Sequence, residues 1–107
     1  MTSKEMTKLA INALEDKKAE DIRVIDISEV SVLADYFIIA SGSNRSQVQA
    51  LSDNVDETLG RAGHPVKQVE GYDTANWILL DFGDIICSSG HVGIYIGNNQ
   101  IVHASTK

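Results

Sequence analysis

One cysteine and two histidines crowd the end of this chain: Cys87, His91 and His103. A thiolate within hydrogen-bond reach of an imidazole is the equipment of a cysteine hydrolase, and a thiol with two imidazoles is part of a zinc site. Both chemistries run short of residues. Cys87 lies four residues before His91, in Ile-Cys-Ser-Ser. That run reads as a strand end, which lacks the helix N-terminus that would lower a thiol pKa. A structural zinc needs four ligands, and the remaining imidazole, His64, sits in a distant turn. The reading is therefore no enzyme, no metal and no cofactor, with Cys87, His91 and His103 kept as a catalytic alternative. Ser41-Gly-Ser-Asn44 is a second candidate, because a Gly-Ser turn before a helix can cradle a phosphate. Nucleotide transfer also needs closely spaced acidic metal ligands just after such a turn, and Asn44, Arg45, Ser46 and Gln47 stand there instead.

A third kind of chemistry is contact with another protein. In Trp77-Ile-Leu-Leu-Asp-Phe-Gly-Asp84, alternation puts Trp77, Leu79 and Asp81 on one face of a strand and Ile78, Leu80 and Phe82 on the other. The second set is purely apolar and belongs in a core. The first mixes an indole, an aliphatic side chain and a carboxylate, which suits either a half-buried sheet face or a binding surface. Tyr36, Tyr72 and Asp84 are expected near it. Trp and Tyr give large contact areas at low entropic cost, and Asp81 and Asp84 could pair with a basic partner.

The elements that must position these residues follow from periodicity. Thr2 and Glu5 have capping-box spacing, and Met6, Leu9, Ala10, Ala13 and Leu14 recur at helical intervals. Strands are expected at Ile22–Ile27, Tyr36–Ala40 and Val66–Glu70, and along the Trp77 stretch. Between them, Ser43 or Asn44 caps a helix whose stripe is Val48, Leu51, Val55 and Leu59, with Gly60, Gly63 and Pro65 at its end. Asp35, at the entrance to the second strand, reads as a turn carboxylate rather than a contact residue. After Ile86, Val92–Ile96, the turn Gly97-Asn-Asn-Gln100 and Ile101–Ala104 predict a β-hairpin. The order predicts an α/β (α+β) fold, a mixed sheet with helices packed on it.

The 107 residues suit a single domain, with residues 1–86 as its body and 87–107 as a hairpin segment. No apolar run nears the ~20 residues of a membrane span, and no signal peptide is evident. One cysteine allows no internal disulfide, so a cytoplasmic protein is expected. The formal charge of −6 argues against direct DNA or RNA binding and is compatible with a basic protein partner.

Four stretches carry a resemblance: Ala19-Glu-Asp-Ile22, Ala34-Asp-Tyr-Phe-Ile-Ile-Ala-Ser-Gly42, Val69-Glu-Gly-Tyr72 and Trp77-Ile-Leu-Leu-Asp-Phe-Gly-Asp-Ile-Ile86. With their spacing, they resemble the ribosomal silencing factors, the RsfS or Iojap family, from residue 1 to about 86. The resemblance implies a small α/β domain similar in fold to nucleotidyltransferases but without their catalysis. It further implies binding to ribosomal protein L-fourteen on the large subunit, a block on subunit joining that lowers translation, and a homodimer. Beyond that point the family continues with a longer strand and an aromatic, leucine-rich helix, neither of which is present here.

Residues 83–107 instead resemble the second half of an NlpC-type cysteine peptidase core, through Gly90-His-Val-Gly-Ile-Tyr-Ile-Gly-Asn-Asn-Gln-Ile-Val-His-Ala-Ser105. In such peptidases the positions of His91 and His103 are the base and its orienting group. Their nucleophile is an upstream cysteine at a helix start, and this chain has none. The expectation is a non-catalytic chimera whose hairpin extends the sheet. Self-association is expected through sheet edges or the hairpin, where Val92, Ile94, Ile96, Ile101 and Val102 are densely β-branched.

Overall fold

A computed structural model describes residues 2–32, 34–90, 93–96 and 100–103, the last two runs by backbone alone. Helix α1 spans Ser3–Asp16. Its capping box forms as the spacing predicts: the Glu5 amide donates to Thr2 Oγ1 at 3.1 Å, and the Thr2 amide donates to Glu5 Oε1 at 2.8 Å. Strands β1 (Glu20–Asp26) and β2 (Tyr36–Ser41) follow, then helix α2 (Arg45–Arg61). Asn44 is the cap, its Oδ1 accepting from the Gln47 amide at 2.8 Å. The far end of α2 closes on Gly63, whose φ of +93° favours glycine. There the His64 amide reaches the Leu59 carbonyl and the Gly63 amide reaches that of Gly60.

Three more strands, β3 (Gln68–Glu70), β4 (Trp77–Asp81) and β5 (Ile85–Gly90), complete a five-stranded sheet of order β1-β2-β5-β4-β3. Only the β2–β5 pair is parallel, so the sheet is mixed as expected. Ile22 to Ile27 shifts to Glu20–Asp26, and the third strand starts at Gln68 rather than Val66, with the Lys67 amide just before it donating to the Asp81 carbonyl at 2.7 Å.

Both helices lie on one side of the sheet. Met6, Ala10, Ala13 and Leu14 of α1 and Val48, Leu51, Val55 and Leu59 of α2 pack with Ile38, Ala40, Ile78, Leu80, Ile85 and Cys87. Leu9 packs at the margin of this cluster. On the other side a smaller cluster joins Phe37 and Ile39 to Ile27 and Ala34 of the β1–β2 connection, with Ile25 and Ile86 beside it.

The hairpin corrects an expectation. Strands β6 (Gly93–Ile96) and β7 (Gln100–His103) pair with each other as a separate two-stranded sheet and do not extend the main one. The reason is topological: β5, from which the chain emerges, is an interior strand with β2 and β4 bonded on either side, and the free edges belong to β1 and β3. The boundary read at residue 86 also falls inside β5, which runs on to Gly90. Val92, the turn residues 97–99 and Ala104 lie outside the described residues.

Burial on α2 makes a direct test of this core. Leu51 is fully buried between helix and sheet. Leu51→Ala is expected to lower the unfolding free energy by about 2–5 kcal/mol, read from urea denaturation, with little change in the slope.

Candidate functional site

The strand β4 alternates as its sequence predicts: Ile78 and Leu80 are buried, while Trp77, Leu79 and Asp81 are half-buried. Register extends this second set across the sheet. Trp77 faces Gly90, Leu79 faces Ser88 and Glu70, and Asp81 faces Ile86 and Gln68. All of these point to the side opposite the helices. A depression of about 310 Å³ opens there, lined by Glu70, Gly71, Thr74, Asn76, Trp77 and Leu79.

Local hydrogen bonds hold this face. Asp81 Oδ1 accepts from the Gly83 amide at 2.8 Å, closing the β4–β5 turn. Gln68 Nε2 donates to Glu70 Oε2 at 2.6 Å. The loop before β4 turns at Gly71, with the Ala75 amide donating back to the Gly71 carbonyl at 3.0 Å. A side chain at Gly71 would collide with the Trp77 carbonyl oxygen, and its φ is +80°. This close approach fixes where β4, and therefore Trp77, begins.

The six residues expected to share a surface divide between two. Trp77, Leu79 and Asp81 come together, and Asp84 is exposed at the β4–β5 turn beyond Asp81. Tyr36 pairs in register with Ile85 and packs on the helix side, against the main core. Tyr72 also faces the helix side: its hydroxyl donates to Asp53 Oδ2 of α2 at 3.0 Å, while Gln49 Nε2 donates to the Tyr72 carbonyl at 2.9 Å. That bond to Asp53 raises the phenol pKa above its ordinary value. The residues of the depression that sequence reading missed are Glu70, Gly71, Thr74 and Asn76. Only Glu70 had a usable signal, its place in a strand directly before the turn.

Asp35 has the structural role expected of it, its Oδ2 accepting from Ser3 Oγ at 2.8 Å while its amide donates to the Asp84 carbonyl at 2.8 Å. The Ser41–Asn44 turn is satisfied internally. Gln47 Oε1 accepts from both the amide and the hydroxyl of Ser43, and its Nε2 donates to the Lys17 and Lys18 carbonyls. Among the described residues no group of three or more His, Cys, Asp or Glu is placed to hold a metal. None of their helices is long and apolar enough to cross a membrane.

Cys87 points into the helix-side core, and burial pushes its thiol up to about 12. A catalytic thiolate needs the opposite shift. His91 lies outside the described residues, and His103 is described only by its backbone in β7.

Against known proteins, the model of the family "Ribosomal silencing factor during starvation" matches residues 1–88. The chain belongs to this family. It is 40% identical over 91 residues to the ribosomal silencing factor RsfS of Bacillus subtilis, covering 85% of this chain and 77% of that one. The RsfS of Halalkalibacterium halodurans is 36% identical over 91 residues, covering 85% and 78%. A crystal structure of a Chromobacterium violaceum protein superposes with a TM-score of 0.84 at 37% identity, covering 85% of this chain and 76% of that one. The silencing-factor match thus runs through most of β5. A peptidase-like origin for the residues after it gains no support from these comparisons.

The environment of Cys87 predicts its reactivity. In the folded protein near neutral pH, alkylation by iodoacetamide is expected to be slow and to become fast only on unfolding, as mass spectrometry would show. The same shift sets a pH dependence. The folded thiol keeps its proton to about 12 whereas the unfolded one loses it near 9.0, so this contribution to stability is present below pH ~9 and is lost as pH rises toward 12.

Proposed function

We propose that this chain is a translational repressor that binds the large ribosomal subunit through ribosomal protein L-fourteen and blocks joining of the small subunit. The single observation that carries the choice of surface is the Trp77–Leu79–Asp81 face. It is half-buried, it lies on the side of the sheet that neither helix covers, and it combines an indole with carboxylates in a chain of net charge −6. Such a face suits a basic protein partner: the indole supplies contact area, and Asp81 and Glu70 supply complementary charge. Asp84 extends the acidic rim. Tyr36 and Tyr72 support this surface from behind, through the core and the Asp53 hydrogen bond, rather than by contact.

Family membership supports the ribosome as the target, since the relatives named above are ribosomal silencing factors. A homodimer is the accompanying proposal. The unpaired edges are β1, interrupted by a register shift between Glu20 and Arg23, and the three-residue β3. Sedimentation equilibrium tests it; a strict monomer at high concentration would remove it. The cysteine-hydrolase reading through Cys87, His91 and His103 is set aside, because the thiol is buried and held protonated.

Cosedimentation with purified large subunits tests the main proposal. Trp77→Ala is expected to weaken binding by about 30-fold, the equivalent of a ~2 kcal/mol hot spot, while the variant stays folded. Unchanged affinity in the folded variant would exclude this face.

Asp81→Asn isolates the charge, because an amide oxygen can still accept from the Gly83 amide. Association with large subunits should slow and lose part of its salt dependence, with thermal stability nearly unchanged.

A further inference from the structure

The position opposite Trp77 is Gly90, its partner across the β4–β5 ladder. A Cβ at Gly90 would stand 2.6 Å from the Asn76 carbonyl oxygen, 3.3 Å from Trp77 Cα and 3.3 Å from Trp77 Cε3. The indole therefore lies down across its neighbour, with its benzenoid edge over the bare backbone of β5. Gly90 has no left-handed φ, so the requirement is for space and not for conformational freedom. This differs from Gly71, where both apply.

Neither strand can easily give way. Gly90 is paired with Trp77 on one side and Ser41 on the other, and its carbonyl accepts from the Gly42 amide at 2.9 Å. The Asn76 carbonyl belongs to the peptide that leads into Trp77. Any side chain at 90 must therefore displace the indole directly or shift the peptide that carries it. The pose of the ring, in turn, forms one wall of the depression shared with Glu70, Thr74 and Asn76.

We infer that Gly90 is a positioning residue for the binding face: its missing side chain sets the pose in which Trp77 meets a partner. The contribution to binding rests on the function proposed above, whereas the contact between Gly90 and the indole does not. Trp77 is the one tryptophan in the chain, so selectively excited indole fluorescence comes from this ring alone.

The experiment uses the full chain, with Gly90→Ala, Trp77→Ala and the double variant. In Gly90→Ala the emission maximum and the acrylamide quenching of Trp77 are expected to change while far-ultraviolet circular dichroism is kept. Affinity for purified large subunits should fall at least tenfold, about 1.4 kcal/mol. The double variant should bind no worse than Trp77→Ala alone, since both substitutions act through the same ring. Losses that add, or a folded Gly90→Ala with unaltered fluorescence, would overturn the proposal.

A measurement on the unmodified chain guards against a variant that does not fold. The Gly90 α-protons should show a ring-current shift and Overhauser effects to the indole, with the shift lost in Trp77→Leu. Their absence in the unmodified chain would overturn the inference. If the unmodified chain fails to bind large subunits, the proposed function falls, and the positioning of the ring is still decided by fluorescence and these proton signals.

Discussion

The pairing of β5 between β2 and β4 is the constraint on which the rest of this structure depends. It is the central strand of the five, with β2 parallel to it on one side and β4 antiparallel on the other. Its alternate residues Ile85 and Cys87 enter the helix-side core, whereas Ile86 joins the smaller cluster on the opposite face. With β5 fixed, β1 and β3 become the edges, and the chain leaves β5 with no free edge beside it. A terminal hairpin of β-branched residues must then pair with itself, because a strand holds only two ladder partners.

Placing both helices on one side makes the two faces of the sheet unequal. One face is closed by two amphipathic stripes, and burial there is nearly complete for Ile38, Ile78 and Ile85. On the other, among the described residues, the β1–β2 connection packs over β2 and part of β5, and β4 stays half-buried. Strand β6 comes nearest to β2 and β5, and Trp77 keeps its partial exposure. The same asymmetry explains why Cys87 is chemically quiet. Its pleat phase sends it toward the helices, where desolvation disfavours the thiolate.

Asp81 combines a local hydrogen bond with a half-buried place on the face proposed for binding. One carboxylate oxygen closes the β4–β5 turn on the Gly83 amide, which holds the group on the same face as Trp77 and Leu79. Glu70 is oriented in a similar way by Gln68 on the same strand. On the proposed binding face, carboxylates held in this way would lose little entropy on meeting a basic partner.

The sequence by itself determined the local features. The Thr2–Glu5 box, the Asn44 cap, the Val48–Leu59 stripe and the division of β4 into an apolar and a mixed face each depend on residues within a turn or two of one another. The family was legible for the same reason, since its signature runs are contiguous. Tertiary structure decided which strands are neighbours and in what register. Tyr36 and Trp77 are both aromatics at strand starts, yet register puts the first on the helix side and the second on the open side. A one-residue change of phase reverses a face, and nothing local records the phase between strands distant in the chain. The same holds for Gly90. As a letter it is an ordinary glycine at a strand end. Only the β4–β5 register, set by packing across the whole sheet, brings it under Trp77.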